Sequence, residues 1–343
     1  MTETLPEGPA KQPTIREVAL RAGVSPMTVS RTLAGGKNVR PDMQDRVLEA
    51  VAALGYHRNE NARSLRPGHT SGLIGVAITN LGNPYYGNFA LGVEEVAAQY
   101  GRRILLGNTG EDIARERLVI TDFIGRQVEG LIVVPSGEDA AHLQPDALRE
   151  TPLVLASRTV DGVPADSVVL DDVGGARRGT AALIQAGHTR IAYLGNVTSV
   201  FTGKRRFEGY CQALEEAGIP VDLGIVRRGQ QDVDTASAAM IELLGADSPP
   251  TAVFSANNRN TIGAIRALAG RMTGEGRSTL PAIVSFDDFE LAELMPMPVT
   301  VVMHDPRELG RQAARLLFDR LLERPDGAPR SVEMPTPLRV ARD

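Results

Sequence analysis

Between Ser25 and Leu33 the chain reads Ser-Pro-Met-Thr-Val-Ser-Arg-Thr-Leu. These side chains suit hydrogen bonding to a nucleic acid rather than bond-making. The guanidinium of Arg31 can donate two bonds to O6 and N7 of one guanine. Hydroxyls such as those of Ser25, Thr28 and Ser30 can hold phosphate oxygens, which set a protein's register on a duplex without reading sequence. Pro26 and Met27 offer apolar contact, for example to thymine methyl groups. Thr14 joins this set of DNA-facing candidates. Catalytic patterns are missing from the sequence. The 5 histidines are scattered, with no His/Cys spacing suited to a metal. Neither a G-x-S-x-G elbow nor a P-loop is present. The acidic pairs Asp171–Asp172 and Asp287–Asp288 have no histidine or further carboxylate at useful spacing. The expectation is a binding protein that is not an enzyme, with no metal and no cofactor.

The Ser25–Leu33 run needs a scaffold, and the flanking sequence supplies one. Thr14-Ile15-Arg16-Glu17 is a capping box: the threonine caps a helix while Glu17 reaches back to the cap amide. Ile15, Val18, Ala19 and Ala22 follow at helical spacing. Gly23 can take the left-handed turn that ends this helix, and Val24 can plug the corner. Ser25-Pro26 then restarts a helix, a cap followed by proline at the first position. This second helix is expected to bury Val29 and Leu33 and to expose Pro26, Met27, Thr28, Ser30 and Arg31. Two short helices around a glycine turn make a helix-turn-helix; on pattern alone, a plain helical hairpin is the alternative. A third helix is expected from Pro41 to about Leu54, with Val47, Leu48, Val51 and Leu54 inward and Gly55 as its stop. Beyond it, Asn59 to Leu65 has length for under two turns. Such a segment is too short to be stable alone and should order only against DNA or a partner.

The pieces "TIREVALRAGVSPMTVSRTL" and "LGYHRNENARSL" resemble the headpiece and hinge of the lactose/galactose repressor (LacI/GalR) family. The resemblance implies that two subunits pair their hinge helices in the minor groove. Leu65 would wedge between base pairs there, as apolar side chains do in minor-groove kinking, with Asn59 and Ala62 as the other DNA-facing hinge residues. Two positions depart from the pattern. Arg40 stands where a small cap residue is usual, and Arg58 where proline is usual.

From Thr70 onward, apolar strand-like runs alternate with helical ones. Strands are expected at Leu73–Ile78, Ile104–Leu106, Leu131–Val134, Leu153–Leu155, Ile191–Leu194, Ala252–Phe254, Ala282–Phe286 and Val299–Val302. Helices are expected from Asn83-Pro84 to Tyr100 and at Ile113–Arg126, Asp172–Ala186, Lys204–Ala217 and Pro306–Glu323. Such alternation implies α/β architecture, with parallel sheets and helices on both faces. Roughly 275 residues of it should split into two lobes. Ligands of such sheets bind beyond the carboxyl ends of the strands, here between the lobes. "GLIGVAITNLGNPYYGNFALGVEEVA", "VEGLIVVPSG", "AGHTRIAYLG", "RRFEGYCQAL", "TIGAIRAL" and "VSFDD" are similar to the same family's core. They imply a periplasmic-binding-protein-like fold with lobe crossovers near Leu170, Val302 and Arg330. The expected plan is an N-terminal arm (1–12), an all-α headpiece (13–58), a hinge helix and linker (59–68) and an effector-binding and dimerisation domain (69–343). Within the last, lobe 1 is assigned 70–169 plus 303–330, and lobe 2 170–302 plus 331–343.

The resemblance also places effector contacts. Arg206, in "KRRFEGY", occupies the position of a ligand-clamping arginine. Asn257 and Asp287 match polar contacts in "SANN" and "VSFDD", His304 lies in an interlobe crossover, and Tyr85 and Ser157 complete the set. An arginine and amides converging on hydroxyls fit a polar ligand; an interlobe ion pair is the alternative for Arg206 and Asp287, and a purely structural group for His304. Asn258 replaces a usual aspartate, Ser157 replaces another in "LVLASR", and Gln231 falls where an aromatic often stacks on sugar. With 0 tryptophans, a sugar face would stack on tyrosine or phenylalanine. The implied effector is a sugar or related polar metabolite, a sugar phosphate among them.

Charge agrees with this division. Residues 1–70 carry 10 Lys+Arg against 7 Asp+Glu, while the whole chain has a net charge of −5, so a basic head sits on an acidic body. One cysteine, Cys211, allows no internal disulfide; with no secretory signal pattern at Met1–Lys11 and no apolar run near 18 residues, the expectation is a cytoplasmic protein that does not enter a membrane. The expected function is that of a sequence-specific transcription regulator, acting as a repressor. Its partners would be double-stranded, near-palindromic operator DNA and a second copy in a homodimer. An architectural DNA binder and a small-molecule-binding protein without operator specificity are the alternatives.

Overall fold

The computed structural model describes residues 13–33, 35–36, 38–56, 71–196, 200–271, 280–289, 292, 295, 297–323 and 327–339. Two compact units emerge, residues 1–71 and 72–343. The expected arm (1–12) and hinge, with Asn59, Ala62 and Leu65, lie outside the described residues.

The first unit holds α1 (Ile15–Ala22), α2 (Pro26–Leu33) and α3 (Pro41–Leu54). The Thr14 hydroxyl accepts the Glu17 amide, and the Thr14 amide donates to Glu17 Oε2 at 2.6 Å, so both halves of the capping box are made. Gly23 ends α1 at φ 64°, a left-handed conformation that costs glycine little. Val18, Ala19, Ala22, Val29, Val47 and Ala50 form the core. Two expectations shift. In α2 the buried partner of Val29 is Thr32, with Leu33 only half-buried; the Thr32 hydroxyl donates to the Thr28 carbonyl at 3.0 Å, which satisfies it inside the core. In α3 Leu48 is 53% exposed, because the inward stripe runs through Val47, Ala50, Val51 and Leu54, the three- and four-residue spacing of one helix face.

The second unit has two six-stranded sheets. One runs β11-β5-β4-β3-β1-β2 and the other β12-β10-β9-β8-β6-β7. The first comprises β1 (Leu73–Ile78), β2 (Arg103–Asn108), β3 (Gly130–Val133), β4 (Leu153–Ala156), β5 (Asp166–Leu170) and β11 (Ser331–Met334), and all its pairings are parallel. The second comprises β6 (Ile191–Gly195), β7 (Val226–Arg228), β8 (Ala252–Ser255), β9 (Ala282–Phe286), β10 (Val299–Val302) and β12 (Leu338–Arg339). It is parallel except where β12 meets β10. Lobe 1 carries α4 (Pro84–Gln99), α5 (Ile113–Gly125) and α10 (Pro306–Leu322). Lobe 2 carries α6 (Asp172–Gln185), α7 (Phe201–Glu216), α8 (Val233–Leu244) and α9 (Asn258–Leu268).

Strand alternation sends side chains to both faces of each sheet. In lobe 1, Ile74, Val76 and Ile78 pack with Phe89, Val93 and Leu317, while Ala77, Leu131 and Val133 pack with Ile120 and Phe123. In lobe 2, Tyr193, Phe254 and Phe286 face Ala176 and Tyr210, and Leu194, Val253 and Ile283 face Met240 and Leu268. The chain crosses between lobes after Leu170, after Val302 and after Met334. The last crossing was expected near Arg330. Instead Ser331–Met334 adds a strand to lobe 1, pairing with Ser167–Leu170, before the chain passes to β12.

Candidate effector cleft and DNA-facing helix

In the first unit, the Ser25 hydroxyl accepts the Thr28 amide at 3.1 Å and lies 2.9 Å from the Thr28 hydroxyl. The Ser25 hydroxyl, one of the three expected to hold phosphates, therefore also caps α2. Pro26, Met27 and Arg31 are exposed, Met27 by 61%; Thr28 and Ser30, expected to be exposed, are half-buried. Arg31 forms no ion pair among the described residues. Thr14 is exposed, with its hydroxyl 2.9 Å from Glu17 Oε2. Arg40 makes no side-chain cap for α3; it grips Asp42 through two bonds of 3.0 and 2.7 Å, with Pro41 opening the helix.

In the second unit a cleft opens between the lobes. Tyr85, Ser157, Arg206, Asn257 and Asp287 all line it, as does Gln231. His304 lines the adjoining cavity instead, touching the cleft through Asp287 and edge-on through the Tyr85 ring, whose centre is 5.5 Å away. Ser157 and Asp287 follow directly on β4 and β9, and both hold left-handed backbone, φ 61° and 71°. Left-handed non-glycine residues are uncommon, and such strain clusters at functional sites. Here it occurs at the carboxyl ends of a strand in each lobe.

Arg206 sits near the base of the cleft, 6% exposed. Its Nε donates to Asp172 Oδ1 at 2.7 Å and its Nη1 to the Ala256 carbonyl at 2.6 Å. Nη1 also lies 3.5 Å from Asp287 Oδ2. The guanidinium carbon stands 3.7 Å from the Phe286 ring centre, a cation–π contact. Burial pushes the Asp172 carboxyl above the usual carboxylate range despite Arg206. Burial opposes charge on Asp287 as well, but Arg206 and the 2.8 Å bond from His304 Nε2 hold it below that range. Asp287 is thus the firmly ionised member. The acidic pairs serve separate purposes: Asp171 caps α6 and pairs with Arg178, and Asp288 pairs with Arg339.

Two of the three departures in this site, Ser157 and Asn258, find partners on one short segment of lobe 1. Ser157 Oγ is 2.7 Å from the Tyr85 hydroxyl. Asn258 and Asn83 exchange reciprocal amide bonds of 2.8 and 3.1 Å across the lobes; an aspartate at 258 would lack the donor for one of them. Sequence reasoning missed Asn83, Asp172, Arg259 and the Arg158–Glu111 pair. Arg158 donates to both Glu111 oxygens at 2.6 and 2.8 Å and to the Pro135 carbonyl. The signal for Asn83 was its place before Pro84, an N-cap pattern. Arg158 and Arg259 gave no such signal, since their roles depend on residues distant in sequence.

Residues 14–59 match the family described as bacterial regulatory proteins, lacI family, and residues 71–340 match periplasmic binding proteins and sugar binding domain of LacI family. The HTH-type transcriptional regulator GalS of Salmonella typhimurium is 34% identical over 304 residues, 88% of each chain. A solved transcriptional regulator CelR–cellobiose complex superposes with a TM-score of 0.67 at 29% identity, covering 96% of this chain and 99% of that one. The lac repressor dimer bound to operator and the anti-inducer ONPF shares the fold, with a TM-score of 0.78 at 23% identity over 97% and 98% of the two chains.

Proposed function

The chain belongs to the lacI family of bacterial regulatory proteins, and on that premise we propose that it regulates transcription by binding operator DNA through α2 under the control of a polar effector held between its lobes. It is a DNA-binding regulator rather than an enzyme. The observation that carries the effector reading is the convergence of Tyr85, Ser157, Arg206, Asn257 and Asp287, from both lobes, on one cleft. A ligand gripping both lobes binds one lobe angle better than another, and that difference in affinity is what shifts a conformational equilibrium. Sugars are the favoured effector class: relatives include GalS, and the CelR structure holds cellobiose.

We further propose a homodimer on a near-palindromic operator, acting as a repressor in the cytoplasm, with Asn59, Ala62 and Leu65 completing the DNA contact. One eight-residue helix presents few base-reading groups, so two heads are needed for specificity. Apolar surface suited to a partner copy exists on lobe 1, where the edge strand β2 exposes Leu106 and α5 exposes Leu118. Sedimentation equilibrium should return a dimer; a persistent monomer with undiminished operator affinity would refute it.

The test of the whole reading is recovery of bound genomic fragments followed by competition at fixed salt. A palindromic site much preferred over random DNA supports regulation. Weak, salt-sensitive binding without preference points to the architectural alternative. On the recovered site, Arg31→Ala should cost about 1–3 kcal/mol and relax discrimination at one base pair; an equal loss on every sequence would make Arg31 a phosphate contact.

A further inference from the structure

The second residue of α9, Arg259, is the cleft arginine that forms no ion pair with a carboxylate among the described residues. Arg158 is matched by Glu111, and Arg206 by Asp172 and Asp287. Arg259 lines the cleft where it meets the adjoining cavity and forms no ion pair among the described residues. Its Nε is shielded from solvent and has no hydrogen-bond partner. The described carboxylates at and beneath the cleft have other partners, though Asp172 Oδ2 is left without one. Both Glu111 oxygens take Arg158, Asp287 takes His304 and Arg206, and Asp172 takes Arg206 through Oδ1. Asp232 feels the charge of Arg259 but spends its carboxylate capping α8, accepting the Thr235 amide at 2.7 Å. The other polar groups lining the cleft include Asn80, Asn83, Asn196, Gln231 and Asn257, which carry no charge to balance a cation.

A half-buried guanidinium with a shielded, unbonded Nε leaves a donor unsatisfied, and its planar fork matches a carboxylate or phosphate through two parallel bonds. A neutral polyol could satisfy the hydrogen bonds of Arg259 but not its charge. We propose that the effector is an anionic polyol, bearing a phosphomonoester or a carboxylate, and that Arg259 anchors the anionic group. This rests on the interlobe cleft being the effector site. The polyol body would then lie toward Tyr85, Ser157 and Arg206, whose charge is already matched by its own carboxylates.

The test uses the full chain and inorganic phosphate, titrated at constant ionic strength against chloride and followed by the thermal midpoint and the ³¹P linewidth. Phosphate should raise the midpoint and broaden the line at millimolar concentration. Arg259→Gln should abolish both effects, and Arg259→Lys should keep part of them. A hexose 6-phosphate and a uronic acid then separate the two anion types: the preferred one should bind at least tenfold more weakly to Arg259→Gln. No phosphate effect, or one that persists in Arg259→Gln as an adventitious ion only, overturns the proposal. A neutral hexose that binds wild type and Arg259→Gln equally well, and better than its phosphate or uronate, also overturns it while leaving the cleft as the effector site.

Discussion

Arg206 shows how a residue can be in the expected place and still answer a mutation differently from what its role suggests. The family resemblance makes it a ligand clamp, and alanine there would be expected to silence the effector while sparing the rest. Its surroundings say more. Arg206 is the shared counter-ion of Asp172 and Asp287, and Asp172 is fully buried. Removing one partner from a buried ion pair typically costs about 3–5 kcal/mol, because a charge is left uncompensated. Arg206→Ala should therefore lower the core's urea midpoint as well as abolish the effector response. Tyr85→Phe is the cleaner probe of the cleft. It deletes one hydroxyl, bonded to Ser157, and should weaken effector binding with little change in midpoint. If Arg206→Ala unfolds at the wild-type midpoint, the buried cluster is not held by that guanidinium.

At the scale of elements, close helix packing and one buried carboxylate organise lobe 1. A Cβ on Gly310 of α10 would lie 2.1 Å from the Phe89 carbonyl of α4, and one on Gly92 of α4 would lie 1.9 Å from the Arg307 carbonyl. Backbone cannot yield as a side-chain tip can, so Gly310→Ala should cost about 1–3 kcal/mol or more, read as a lower urea midpoint; an unchanged midpoint would mean that the helices separate freely. Asp166, 1% exposed, binds Arg320 of α10 at 2.6 Å and Arg330 at 2.7 Å, and also accepts the Arg330 amide at 2.8 Å. Burial works against its charge, but these donors hold its pKa below the usual carboxylate value. A carboxylate depressed on folding adds stability above its unfolded pKa, near 3.9, and loses it as pH falls through the folded value. Asp166→Asn should thus destabilise the core at neutral pH, and its deficit against wild type should shrink in acid; a deficit independent of pH would remove the charge from the explanation. Neither feature is local in sequence, and this marks the limit of what the sequence disclosed. The capping box at Thr14, the Ser25-Pro26 restart and the apolar strands of the core carry their signals within a few residues. β5, β7, β11 and β12 were not anticipated, nor were α8 and α9. β11 and β12 are edge strands of four and two residues, set by pairing with distant strands rather than by their own pattern. The cleft was legible through motif resemblance, whereas the partners of its residues required the fold.

At the scale of the whole molecule, regulation requires that the lobe angle be poised, so the contacts between lobes away from the crossovers carry weight beyond their number. The Asn83–Asn258 pair is one of them. It joins the N-terminus of α4 in lobe 1 to that of α9 in lobe 2, with both amides buried. The ion pair of Arg205, on α7, with Glu333, on β11, is another, at 3.3 Å and half-exposed. Exposed ion pairs contribute about 0–1 kcal/mol, while each buried neutral hydrogen bond contributes about 0.5–1.5 kcal/mol net and leaves an unsatisfied amide when cut. The asparagine pair is therefore the stronger latch. Since about 1.4 kcal/mol is a tenfold change in a two-state population, its loss is enough to move the lobes toward an open arrangement. Asn83→Ala and Asn258→Ala should each enlarge the effector-free radius of gyration in small-angle scattering and weaken effector binding by up to about tenfold. The double variant should cost less than the sum of the singles, with a coupling of about 1 kcal/mol. Additive effects would mean that the two amides act on their own lobes and that closure is set at the crossovers alone. Asn258→Asp, which restores the residue usual in the family, keeps an acceptor for Asn83 but loses the donor, so its effect should fall between wild type and Asn258→Ala.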